Sequence, residues 1–375
     1  MNFPSKIYHW YTVLHFLVIS LLIASCATTS EYKALKLDDG VVHIIDSICM
    51  VNLQNEHYPG LAVSVIRSDR TQWSKGYGYA NKELKQAVNP SAHLFRIGSI
   101  SKTVTAAALG RLIDKHEIDL DVPIGQYIQD LPADKKEITL RQLGGHLAGI
   151  RHYTGVEFWS NIHYESVDDA MEVFIHDDLL FPPGTEYTYT THGWTVVSTA
   201  MENAVDKSIL EIIRDEVSKP LHLDDLKADM ADSIHFNRVE FYEFQDGKGF
   251  ESPDVDLSNK WSGGGFLCSA EDLARFGFAL ADPGYIGATS LEEITKSQFL
   301  PDKSKTNYGI GFRSGKDDDE NRWYGHSGGA IGGTSMLLIY PDENLVVVTL
   351  VNLSSAKMND LAWKIADVVR QARKK

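Results

Sequence analysis

Ser99-Ile100-Ser101-Lys102 follows the apolar segment Leu94-Phe95-Arg96-Ile97-Gly98 and opens a run of helical character from Thr103 to His116. A serine and a lysine three residues apart on a helix project from the same side. At a helix start, serine also sits among backbone N–H groups without intrahelical partners, which can hold an anion. Ser99 can then attack a carbonyl while Lys102, if uncharged, takes its proton. Spacing alone favours a plainer reading, in which Ser99 only caps the helix. Ser30 with Lys33 and Ser354 with Lys357 also match S-x-x-K. The first pair lies in an N-terminal linker and the second follows the last strand-like segment. Only Ser99 stands at a strand-to-helix junction followed by Ala106, Ala107 and Ala108, small residues that let other elements pack close.

Two further motifs shift the balance. Pro183-Gly184-Thr185-Glu186-Tyr187-Thr188-Tyr189-Thr190-Thr191-His192-Gly193-Trp194 resembles a P-G-x-x-x-x-Y-S-N segment, and His326-Ser327-Gly328-Gly329 resembles the histidine form of a lysine-threonine-glycine strand motif. With Ser99-Ile100-Ser101-Lys102 they resemble the β-lactamase-related serine hydrolases: class C-like β-lactamases, D-alanyl-D-alanine carboxypeptidases and esterases. The resemblance runs from about Leu61 to Ser355. It includes Asp119-Leu120-Asp121-Val122-Pro123, Gly264-Gly265-Phe266 and Asn307-Tyr308-Gly309-Ile310-Gly311-Phe312. Within the family, His146-Leu147-Ala148-Gly149-Ile150-Arg151-His152-Tyr153 looks most like the mitochondrial β-lactamase-like branch.

The resemblance implies acyl transfer through an acyl-Ser99 intermediate, on an ester or on an amide or peptide bond. Lys102 is expected to accept the proton and Tyr189 to protonate the leaving group. The backbone N–H groups of Ser99 and Gly329 are expected to form the oxyanion hole. Thr191, His326, Ser327 and Gly328 are expected to line the substrate pocket, with His326 open to a second reading as a strand histidine paired to backbone. No cofactor is expected. Two positions depart from the pattern: Thr191 stands where many members carry asparagine, and His326 where penicillin-directed members carry lysine. These departures argue against efficient β-lactam hydrolysis. They leave a true β-lactamase or D-alanyl carboxypeptidase, and a noncatalytic binding lipoprotein of the same fold, as rival readings.

Gly325-His326-Ser327-Gly328-Gly329 also fits G-x-S-x-G, the nucleophile elbow of another hydrolase fold. That fold needs an acid and then a histidine after the serine, and an elbow is followed by a helix. No histidine follows Gly329, and Thr334 to Tyr340 reads as a strand. Ser327 is therefore rejected as nucleophile and placed on a strand lining the site.

Residues 1–26 read as a processing signal, with Lys6 before an apolar stretch from Val13 to Ala24. That stretch is short for a membrane span, which needs about 20 residues. Ile23-Ala24-Ser25-Cys26 resembles a bacterial lipobox, which predicts lipidation at Cys26, a polar tether over 27–40 and attachment to a bacterial envelope membrane. An ordinary signal peptide or an uncleaved anchor is the competing reading. Cys49 and Cys268 are expected to be buried free thiols. The 36 Lys and Arg against 51 Asp and Glu give a net charge of −15, which disfavours nucleic acid as a partner and leaves a small-molecule or peptide substrate. The 14 histidines form no H-E-x-x-H, and no Cys-x-x-Cys occurs, so no metal site is expected.

Strand patterns at Leu61 to Arg67, Thr71 to Tyr79, Tyr308 to Arg313, Thr334 to Tyr340 and Leu345 to Val351 flank a mostly helical middle. Val41 to Glu56 and Asp360 to Arg373 read as terminal helices. The expected fold is α/β (α+β) of the β-lactamase/transpeptidase type, an antiparallel sheet flanked by helices plus a helical lobe. The domain at 41–375 then divides into a sheet lobe, about 41–118 and 300–375, and a helical lobe, about 119–299. Asp232 to Lys260 is polar and is expected to be a surface loop near the cleft.

Overall fold

Leu61, Val63 and Val65 point to one side of a strand and Ala62, Ser64 and Ile66 to the other, and all six are buried. A strand buried on both faces belongs in the middle of a covered sheet. The computed structural model describes residues 36–67, 72–233, 235–246, 248–282, 284–358 and 360–372. Cys26 and the signal and lipidation segment lie outside the described residues.

Among the described residues the central sheet has seven strands: β1 (Gly60–Arg67), β2 (Gln72–Asn81), β3 (Gln86–Ala87), β4 (Arg313–Lys316), β5 (Arg322–Ala330), β6 (Gly333–Tyr340) and β7 (Leu345–Val351). Their spatial order is β3-β2-β1-β7-β6-β5-β4. The join between the two ends of the chain is the antiparallel β1–β7 ladder, with Leu61 opposite Val351 and Val65 opposite Val347. Asn344, in the left-handed region at φ 45°, closes the turn between β6 and β7.

Two helices cover one face. They are α1 (Asp39–Asn55), begun by the Asp38 carboxylate accepting from the Gly40 amide, and the C-terminal helix (Leu361–Ala372). Ile45, Cys49, Ile365 and Val369 pack there against Val63, Val347 and Leu338. On the other face lie α2 (Ile100–Asp114) and Ala270–Ala279, the latter capped by Ser269 accepting from Asp272 N–H at 3.3 Å. Ala270–Ala279 lies in the stretch assigned to the helical lobe but packs on β1, β6 and β7. Twelve of the fifteen residues of α2 are buried, so it is an interior helix rather than an amphipathic one. Cys49 and Cys268 are both free and buried, in separate cores.

Two segments differ from expectation. Tyr308 to Arg313 is not a strand: Gly309 N–H donates to the Phe312 carbonyl, curling the segment, and β4 starts only at Arg313. Asp232 to Lys260 is not wholly a surface loop. It carries a hairpin, Tyr242–Gln245 with Lys248–Glu251, and then turns inward so that Asp256 to Lys260 are buried.

Candidate active site

Ser99 stands at the turn between Phe95–Arg96 and α2. Gly98 adopts φ +50°, which L side chains rarely take, and the amides of Ile100, Ser101 and Lys102 close on the carbonyls of Ile97, Gly98 and Ser99. Ser99 itself already has helical angles, φ −64° and ψ −6°, and its side chain caps nothing. The capping reading therefore fails, because a cap needs extended angles to fold its oxygen back onto the helix amides. Ser101 instead accepts from Phe266 N–H at 3.1 Å and pins the neighbouring strand.

Lys102 is fully buried. Its Nζ lies 3.3 Å from Ser99 Oγ, 3.0 Å from Thr191 Oγ1 and 2.5 Å from the Gly263 carbonyl oxygen. Burial, then the positive charges of Lys260 and Arg313, hold its pKa well below the ordinary lysine range. An uncharged amine has two N–H donors and one lone pair. Thr191 and Gly263 take the donors, which turns the lone pair toward the Ser99 hydroxyl.

Tyr189 is partly buried, with its ring centroid 5.0 Å from Lys102 Nζ and 5.8 Å from the Arg313 guanidinium. Burial raises the pKa of its phenol. A hydrogen bond with Ser99 and the charge of Arg313 offset only part of that. The segment carrying Tyr189 is clamped by two histidines. Thr190 N–H donates to His146 Nδ1 and Thr191 N–H to His152 Nδ1, each at 3.2 Å. Burial depresses both imidazoles, His152 to about 4, which keeps them neutral acceptors at pH 7. His146 also packs its ring 4.3 Å from that of Tyr189. In the sequence these histidines only bracket a glycine turn; their acceptor role comes from the fold.

β5 pairs with β4 only over Arg322 to Gly325, so its edge beyond His326 faces the site. A Cβ on Gly328 would sit 2.0 Å from the Ile97 carbonyl, so only glycine lets β5 approach the Ser99 turn this closely. Gly329 follows: a Cβ on Gly98 would fall 2.8 Å from Gly329 N. Ser327 is exposed and does not line the cavity. His326 is buried, with Nε2 hydrogen-bonded to Tyr308 Oη at 2.8 Å and Nδ1 to the Ser327 carbonyl at 2.6 Å. Burial pushes His326 down to about 3. It too lies outside the cavity lining.

The cavity, of about 100 Å³, brings together Ser99, Tyr189, Thr191 and Gly329 with His152, Tyr153, Phe158 and Lys260. Lys260 was not apparent from sequence. It closes a polar stretch with no motif around it, and only the inward turn after Val255 buries it.

A profile of the Beta-lactamase family matches residues 46–370. The human mitochondrial serine beta-lactamase-like protein LACTB is 24% identical, with 82% of this chain and 76% of that protein aligned. Among solved structures, the D-amino acid amidase of Ochrobactrum anthropi aligns with TM-score 0.79 at 18% identity, covering 89% of this chain and 99% of that one. The octameric penicillin-binding protein homologue from Pyrococcus abyssi aligns with TM-score 0.77 at 20% identity, covering 88% and 77%. These likenesses establish the β-lactamase/transpeptidase-like fold. With the family profile spanning most of the sequence, the chain belongs to the β-lactamase family.

Proposed function

We propose that this protein is a serine hydrolase that cleaves ester or amide bonds through an acyl-Ser99 intermediate. The observation that carries the reading is the Lys102 amine, buried without a carboxylate partner among the described residues and 3.3 Å from Ser99 Oγ. Lys102 takes the Ser99 proton as Oγ attacks the carbonyl carbon. The N–H groups of Ser99 and Gly329 stabilise the oxyanion, a role in which one donor is worth roughly 3–4 kcal/mol. Tyr189, kept protonated by burial, gives its proton to the departing alcohol or amine and takes a replacement from the Lys102 ammonium. Lys102, neutral again, takes a proton from the water that attacks the acyl carbon and returns it to Ser99 Oγ as the acyl–oxygen bond breaks. Thr191 and Gly263 orient Lys102, and His326 supports the site through Tyr308. Amide cleavage has a parallel in the structurally similar D-amino acid amidase. We also infer, from sequence alone, that lipidation at Cys26 tethers the mature protein to a bacterial envelope membrane.

The test is hydrolysis of p-nitrophenyl acetate by the wild type and by Ser99→Ala. The expected result is turnover by the wild type and a loss of about a thousandfold or more in the variant, the scale on which nucleophile removal acts. Equal rates would place the chemistry elsewhere.

A further inference from the structure

We propose that Lys260 is a substrate-binding residue that holds a carboxylate carried on a short arm from the scissile carbonyl. The inference rests on the hydrolase reading above and assigns it a substrate class.

Lys260 is 5% exposed and lines the same cavity as Ser99. An ammonium carries three N–H donors. One of them meets the Phe158 carbonyl at 2.9 Å, and the group otherwise lies against the ring faces of Phe158 and Tyr153, at 4.8 and 5.0 Å. Lys260 forms no ion pair among the described residues. The nearby Asp256 carboxylate is committed to His163 Nδ1 at 2.9 Å and to the Ser258 amide at 2.8 Å. The Asp256 charge favours the ammonium from a distance but does not pair with it, and a buried cation with spare donors and no contact partner is costly. A bound anion removes that cost.

The other basic side chains nearby do not offer a free charge inside the cavity: Arg313, whose guanidinium lies 5.8 Å from the Tyr189 ring, is exposed and outside the cavity lining. Arg96 is held by Asp229 and the Ile331 carbonyl. Lys102 is engaged with Ser99, Thr191 and Gly263. His326 is hydrogen-bonded on both nitrogens and does not reach the cavity. The anchoring charge thus comes from the segment before Trp261 rather than from β5. Burial and Arg96 lower Lys260 only to about 8, so it stays largely charged at pH 7. The space beside Ser99 limits the arm: a dry cavity of about 150 Å³ takes benzene, and this partly open one, at about 100 Å³, suits a compact aliphatic carboxylate. The chain as a whole carries −15, so preference for an anion must arise locally.

The test compares mono-p-nitrophenyl glutarate with its neutral methyl ester. The readout is the ratio of their kcat/KM values in the wild type, Lys260→Met and Lys260→Arg. The wild type should favour the carboxylate by tenfold or more. Lys260→Met should cut that ratio at least tenfold, and Lys260→Arg should keep most of it. Lys260→Gln, which retains a donor for the Phe158 carbonyl, replaces the methionine variant if that does not fold. A wild type without the preference overturns the proposal. So does a variant in which both rates fall together at constant ratio, because Lys260 would then act only by depressing Lys102. If the wild type hydrolyses neither ester, the hydrolase reading falls, and binding decides on Lys260 separately. Saturation-transfer NMR should show monomethyl glutarate bound to Ser99→Ala and not to Ser99→Ala with Lys260→Met. Equal signals overturn the proposal.

Discussion

The Lys102 amine meets the Ser99 hydroxyl at 3.3 Å, in a wall where its other contacts are a threonine oxygen and a backbone carbonyl. Burial, then the positive charges of Lys260 and Arg313, favours an amine there over an ammonium. For a neutral ester, kcat/KM should therefore rise with pH through the lowered pKa of Lys102 and then level off. The raised pKa of Tyr189 keeps its proton in place well into the alkaline range, so no early fall should follow. A pH–rate profile that begins to rise only near the ordinary lysine value of about 10.4 would contradict the assignment.

Arginine at position 102 is a sharper probe. Guanidinium stays protonated and cannot act as a base. Lys102→Arg should lose nearly as much kcat as Lys102→Ala, at least about a hundredfold by the scale of general-base contributions. Substantial activity in the arginine variant would make Lys102 an electrostatic aid instead.

The same burial affects stability. The folded-state pKa of Lys102 lies below its unfolded value, so between the two the unfolded chain binds the extra proton. Stability then rises with pH across that window, by up to about 1.4 kcal/mol per pH unit. The gain in Tm between pH 6 and pH 9 should be smaller in Lys102→Met than in the wild type. Identical gains would mean that Lys102 keeps its proton in the folded protein.

Gly98 and Gly329 give a contrasting pair. Alanine at 98 would have to hold φ +50° and place its Cβ 2.8 Å from backbone N and O of Gly329, atoms that cannot swing away. Gly98→Ala should lower stability by about 1–2 kcal/mol from its backbone angle alone and reduce kcat more than tenfold, because the serine turn and β5 are forced apart. Alanine at 329 meets no atom within 4 Å, so its Tm should match the wild type. Thermal melts and ester kinetics on both variants check this; a normal kcat in Gly98→Ala would remove the proposed register between Ser99 and Gly329.

Much of the site was legible because its chemistry is local in sequence. Ser99 and Lys102 share one helix turn, and Tyr189 and Thr191 share one short segment. The sheet was legible for a similar reason: β1, β6 and β7 are short, mostly apolar runs, and a turn residue, Asn344, separates the last two. The rest depends on packing. On spacing alone Ser99 read as a cap, yet the left-handed Gly98 had already turned the chain into the helix. Tyr308 to Phe312 has a strand-like composition but curls through a bond between Gly309 and Phe312. Lys260 sits in a polar run whose inward turn is set by contacts with Phe158, Tyr153 and Ile331, distant in sequence or carrying no pattern of their own.

Cys26 yields a prediction independent of the cavity. If Ile23 to Cys26 is a lipobox, the wild type should fractionate with membranes and carry acyl chains, and Cys26→Ser should lose both. Mature protein with an unmodified N-terminus away from Cys26 would remove the lipid anchor.

The central claim is that Ser99 is a nucleophile activated by Lys102. Its most direct measurement is exposure of the folded protein to a fluorophosphonate, followed by peptide mapping in the wild type and in Lys102→Arg. The account predicts one adduct, on the peptide bearing Ser99, formed in the wild type and nearly absent in the arginine variant. A folded wild type that stays unlabelled, or an adduct on Ser327, would contradict it.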